Sequence, residues 1–185
     1  MTALDDLDPA LLDAPSAELA ARLRAGRPVD AAAVCGWQYD GISLGLPAWI
    51  ERLTWKKFAK AFHRDADGAL RGWNLRCHQD GLDAPWRPRV HRSVPVTFGH
   101  FALTTVDDRY PAPAGTLLLD YGRGGNRRGD PVARLRDPVV ALDDAGDRLL
   151  GCSLVEVAGR LIATPSYFVL RRGPRVGHVP TPPRR

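Results

Sequence analysis

The feature that most constrains this chain is a change of period. Helical spacing is confined to its start, and the longer remainder alternates apolar and polar residues in short runs separated by turn residues. A period of two puts successive side chains on opposite faces of a sheet. Runs of this kind are expected at 33–43, 56–64, 69–78, 97–106, 115–121, 133–142, 148–157 and 161–171. The third is the clearest, with Trp73, Leu75 and Cys77 alternating with Gly72, Asn74, Arg76 and His78. In the fourth, Phe101, Leu103 and Thr105 share one face and Phe98, His100 and Ala102 the other, so both faces carry aromatic rings. Turn residues at 143–147 and 158–160 join the last strands as hairpins, the second of them tight. Strands that do not alternate with helices argue against a βαβ sheet and for an antiparallel meander. Eight strands is also the count at which a closed sheet holds either packed side chains or one small ligand.

The lead-in contributes little helix. Residues 16–26 form a short amphipathic one, with Ser16 as its expected cap, Glu18 in its first turn, Arg22 and Arg24 in its last, and Leu19 and Leu23 on one face. It packs on the outside of the sheet or plugs one end. A second short helix is expected at 47–53, where Pro47 suits the first turn and Trp49, Ile50 and Leu53 share a side. Residues 1–172 are thus read as one β-barrel domain with a helical lead-in, and 173–185 as a flexible tail rich in Arg and Pro.

Charge excludes more than it suggests. The net charge is +5, yet Arg171, Arg172, Arg175, Arg184 and Arg185 account for all of it, which leaves the rest of the chain balanced. A groove that tracks phosphates needs positive charge on the folded body, so nucleic-acid binding is not expected. The first fifteen residues carry four acids and no base, unlike a leader peptide, and no apolar run approaches membrane-spanning length. A cytoplasmic protein without a membrane partner is expected. Cys35, Cys77 and Cys152 are odd in number and far apart, and His63, His78, His91 and His178 show no ligand spacing. Neither a disulfide framework, a metal nor another cofactor is expected.

The segment Gly36-Trp37-Gln38-Tyr39-Asp40-Gly41, then 47–53 and Trp55-Lys56-Lys57-Phe58, resembles the opening of small bacterial lipocalin-like proteins with a GxWxG signature. Later pieces occur in the same order: Leu117 to Gly122, Leu135-Arg136-Asp137, Leu149-Leu150-Gly151 and Tyr167 to Leu170. The signature itself departs, with Trp37 where the first Gly stands and Tyr39 where the Trp stands. The resemblance implies a mainly β, calycin-type barrel of about eight strands. Members of that family mostly bind hydrophobic small molecules and occasionally catalyse cyclisation or isomerisation. It names no substrate.

Aromatic residues are the strongest functional hint. Trp37, Tyr39, Trp55, Phe62 and Trp73 come from the first half of the sheet, and Phe98, Phe101, Tyr121 and Tyr167 from the second. Rings converging inside a barrel would line a pocket for a small hydrophobic or amphipathic molecule while leaving N–H or O–H groups to orient it. The same rings would equally make an ordinary core. His100, Tyr39 and Tyr121 are the candidate acids and bases if the pocket acts as a cofactor-free cyclase or isomerase. An inward Arg136 paired with Asp120 or Asp137 would mark a polar end of the pocket. The Gly-rich loop from Gly122 to Gly129 lacks the context of a phosphate loop and reads as a flexible loop at the barrel mouth, with anion binding by Arg123, Arg127 and Arg128 as the alternative. A third reading is an interaction domain that contacts a protein partner through the lead-in helix or the tail.

Overall fold

The structure, a computed structural model, describes residues 9–45 and 56–183. The helix expected at 47–53 and Trp55 lie outside the described residues. Eight long strands form the sheet: β1 (Trp37–Leu44), β2 (Lys57–Arg64), β3 (Leu70–Arg76), β6 (Thr97–Thr105), β7 (Leu117–Asp120), β8 (Leu135–Ala141), β9 (Arg148–Val157) and β10 (Arg160–Arg175). Two-residue strands β4 (Val90–His91) and β5 (Val94–Pro95) make a separate small ribbon between β3 and β6. The eight long strands pair antiparallel in the order β1-β10-β9-β8-β7-β6-β3-β2, and β1 pairs β2 to close the barrel. Each of the eight runs read from alternation falls on one of these strands. Closure leaves no free edge, so the backbone groups of β1 and β10 are satisfied by each other.

Two turns explain the meander. Ala158 and Gly159 both take positive φ between β9 and β10, the mirror-image turn that matches strand twist, and Arg160 pairs directly with Val157. Asp143 closes the β8–β9 connection, since its carboxylate accepts from the Asp147 N–H and Arg148 Nε. The first expected strand begins later than read. Residues Ala31–Val34 form a helical turn, α3, capped by Asp30, whose side chain accepts from the Ala32 N–H, and Gly36 then turns into β1 with φ +85.

The α2 helix (Ser16–Ala25) lies on the outer wall and plugs neither end. Its Leu19 and Leu23 are buried with Leu11 of α1 (Pro9–Leu12) against Ile42, Leu44, Val140, Leu150 and Val169. Ser16 is its first helical residue instead of its cap. Pro15 holds the cap position, with no side-chain hydrogen bond. Among the described residues no helix is long and apolar enough to cross a membrane.

The boundary expected between 172 and 173 falls inside β10, which continues to Arg175. Beyond it the Val176 N–H donates to Gly36 O, Arg71 Nη1 donates to Pro180 O, and Pro180 is buried. Residues 176–180 are therefore strapped along the β3 side of the barrel.

The barrel is packed at one end. Tyr39, Phe62, Leu103, Leu117, Leu119, Val139, Leu149 and Leu170 fill it, and Val29 and Val34 pack against them from the segment that precedes β1. The Val29 N–H donates to Thr116 Oγ1, which in turn donates to Val139 O, so this segment is stitched to the rim.

Candidate functional site

The remaining part of the interior is a cavity of about 290 Å³. Phe58, Phe98 and Phe168 contribute apolar wall, as do Val132 and Leu135, where a 3₁₀ turn (Pro131–Arg134) enters β8. Ser43, Ser153 and Ser166 add hydroxyls. Four further polar groups come together on the wall: Lys60 of β2, Asn74 of β3, Asp137 of β8, and Tyr121 just after β7. All four are buried. Strand parity explains how a lysine reaches the interior. Phe58, Lys60 and Phe62 share the inward face of β2, while Ala59 and Ala61 face outward into a second apolar cluster.

Lys60 Nζ donates to Tyr121 OH at 2.6 Å and to Asn74 Oδ1 at 2.9 Å, and lies 3.5 Å from Asp137 Oδ2. Tyr121 OH donates onward to Asp137 Oδ2 at 3.2 Å, and Asn74 Nδ2 is anchored on Gly99 O. Asp137 Oδ1 makes no hydrogen bond of good geometry, with Ser153 near enough to favour the charged carboxylate. Four rings surround the ammonium, Phe168 at 4.7 Å and Phe58, Phe101 and Tyr121 at 5.4 to 5.5 Å. Such faces favour a cation. Burial acts the other way. It lowers the Lys60 pKa despite Asp137, raises that of Asp137 despite Lys60, and raises that of Tyr121 well above the ordinary phenol value. Burial thus opposes the charged form of both members of the pair, and each favours the charge of the other.

The chain matches no protein-family model and no curated protein. Its own geometry sorts the residues singled out from sequence. Phe98 and Tyr121 line the cavity, and Phe101 backs it, 5.1 Å from the Tyr121 ring. Tyr39 and Phe62 belong to the packed end, where they meet edge to face. Tyr39 OH donates to Gly146 O and accepts from Arg172 Nε, so it is a structural tie and not a proton carrier in the cavity. Trp37 lies beneath the guanidinium groups of Arg175 and Arg172.

Trp73 and Tyr167 lie on the outer side. Trp73 packs with Ala59, Ala61, Leu75 and Cys77 beside a surface groove, and Tyr167 packs with the helix-covered cluster. His100 is also outside the cavity, held near Trp73. A bulge puts it there. Gly99 takes φ +53 and the β3–β6 register slips between Gly72 and Asn74, so Phe98 and Phe101 both point inward although three residues apart. Burial and the Arg71 charge push the His100 pKa down to about 4.

Arg136 and Asp120 are opposite each other across β8 and β7 and close an outer pair at 3.3 Å, with Glu156 adding a contact at 2.6 Å. Neither lines the cavity. Asp137, considered only as an arginine partner, instead faces Lys60. The Gly-rich loop is pinned through Asn126, whose amide donates to His100 O and Tyr121 O and accepts from the His100 N–H. Sequence reasoning missed Lys60 and Asn74. One signal pointed to the first: only three of the 26 basic residues are lysines, all within 56–60, and Lys60 falls in phase with Phe58 and Phe62.

Proposed function

We propose that this barrel binds a small, neutral amphipathic molecule, in the manner of the lipocalin-like proteins it resembles. The observation that carries this reading is a cavity with phenylalanine walls and a buried Lys60–Asp137 pair on its lining. The volume is at the low end for ligand sites. At about 30 Å³ per water-sized group it takes roughly ten non-hydrogen atoms. Charge sets the ligand's polar group. Lys60 and Asp137 together are neutral whichever holds the proton, so a carboxylate or ammonium ligand would enter without a counter-charge. A carbonyl or hydroxyl meets donors and acceptors without that cost.

Calorimetric titration with benzyl alcohol, benzoate and benzylammonium tests this. Only the alcohol is expected to bind, with a negative heat-capacity change from apolar burial. Tighter binding of either ion, or no binding of the alcohol, would overturn the reading.

The Tyr121 hydroxyl, set between Lys60 and Asp137, favours a second reading as a cofactor-free isomerase that moves a proton next to a carbonyl. Deuterium uptake from heavy water into the α-position of phenylacetone, faster with protein than in buffer, would support it. Uptake at the buffer rate would refute it.

A further inference from the structure

We propose that Lys60 captures a small aldehyde or ketone in the cavity as a covalent imine, an inference that rests on the binding reading above and names the ligand's reactive group. Three observations point the same way. First, Lys60 lines the cavity, and among the described residues no other lysine does. Lys57 is as deeply buried but is used up: its ammonium donates to Asp80 and to the carbonyls of Gly81, Ala84 and Pro85, which ties down that loop.

Second, this chain meets nearly every need for a cation with arginine, which suits buried ion pairs better because its planar fork pairs two oxygens at once. A guanidinium keeps its charge and cannot form an imine, whereas an amine can do both. A lysine at this inward position is therefore open to nucleophilic chemistry, which an arginine there would not be. Third, its partners form the path that such chemistry needs. Tyr121 OH accepts from Lys60 at 2.6 Å and donates to Asp137 at 3.2 Å, so a proton leaving the ammonium has a hydroxyl bridge to a carboxylate.

The step balances with no added reactant. Lys60 gives one proton through Tyr121 to Asp137, and its free electron pair attacks the carbonyl carbon. The carbonyl oxygen takes up the proton that the attacking nitrogen sheds, which gives a neutral carbinolamine. Asp137 then returns its proton to that hydroxyl, which leaves as water while the nitrogen lone pair forms the C=N bond. Ammonium and carbonyl become protonated imine and water with Asp137 again a carboxylate, and hydrolysis reverses the sequence to release the ligand.

Benzaldehyde with sodium cyanoborohydride, which reduces an imine to a stable amine, tests the proposal on the intact protein. Mass mapping is expected to place one benzyl group on Lys60, at least about tenfold faster than on the amino terminus or Lys56. Excess benzyl alcohol, which fills the cavity but cannot react, is expected to block it. Lys60→Arg should abolish the labelling that excess benzyl alcohol blocks and leave that of the amino terminus and Lys56 unchanged. Labelling confined to the amino terminus and Lys56, with benzyl alcohol still bound, would overturn this proposal and leave the binding reading standing. Failure of both compounds to bind would overturn both.

Discussion

Replacing Lys60 by methionine isolates what the buried pair costs and contributes. Methionine keeps an apolar stem of similar length among the Phe58, Phe101 and Phe168 rings that surround the ammonium, so most of the change is electrostatic. Removing one partner of a buried ion pair typically destabilises by about 3–5 kcal/mol because the other charge is left without compensation. Proton uptake sets an upper limit here. Asp137, with an ordinary pKa of 3.8, can always avoid being a buried lone charge by binding a proton, which at pH 7 costs about 4 kcal/mol.

The loss should therefore be about 3–4 kcal/mol at pH 7. It should also depend on pH. In the parent protein the pair holds one proton folded, and Lys60 with Asp137 together hold one proton unfolded at neutrality, so this site adds no slope. In Lys60→Met, folded Asp137 holds a proton that unfolded Asp137 releases. Its folded pKa is raised, so the stability it contributes is complete below 3.8 and lost as pH rises through the raised value. The deficit should thus shrink by about 1.4 kcal/mol for each unit from pH 7 toward pH 5. Urea denaturation of both proteins between those pH values measures it. The double replacement Lys60→Met with Asp137→Leu should recover most of the loss, since an apolar pair of similar volume is commonly no worse than a buried ion pair. A single variant within about 0.5 kcal/mol of the parent at pH 7, or a deficit that does not change with pH, would refute this account.

Other parts of the fold give three further expected outcomes. His100 is buried neutral with its pKa depressed from 6.5 to about 4, so it contributes stability present above pH 6.5 and lost as pH falls toward 4. His100→Asn should flatten that limb of a stability–pH curve measured by thermal unfolding. Gly124 lies so close to the His100 carbonyl that a Cβ would overlap backbone atoms, and Gly124→Ala should destabilise by about 1–3 kcal/mol in urea titration. Arg136→Gln breaks the outer contacts with Asp120 and Glu156 and should lower stability by about 1–2 kcal/mol, while calorimetry finds benzyl alcohol binding unchanged.

The strands were legible because period two and turn chemistry are local properties. The hairpin at Ala158-Gly159 and the Asp143 turn are written in residues that adopt those conformations at little cost. What alternation leaves open is which face points inward. In β3 both faces are buried, and Trp73, Leu75 and Cys77, which look like core, lie under Trp86 and Val176 on the outside. Asn74, on the face that reads as solvent, points inward because Lys60, Gly99 and Tyr121 satisfy its amide. The bulge at Gly99 turned His100 to the outer face while Phe98, read on the same face, stayed inward, and a single glycine in a strand does not announce it. Lys60 and Asp137 were hidden for a simpler reason. Lysine and aspartate in a strand ordinarily mark the wet face, and their pairing spans 77 positions in sequence, which only closure of the barrel brings together.

The proposed ligand is a neutral amphipath held inside the barrel against Lys60 and the phenylalanine wall. Backbone amide NMR during titration with benzyl alcohol tests it most directly. Saturable shifts are expected at Ser43, Lys60, Asn74, Ser153 and Phe168, with those of the outer residues Trp73, Val90 and Ile162 unmoved. Shifts gathered on the outer residues while the cavity amides stay fixed would contradict the account.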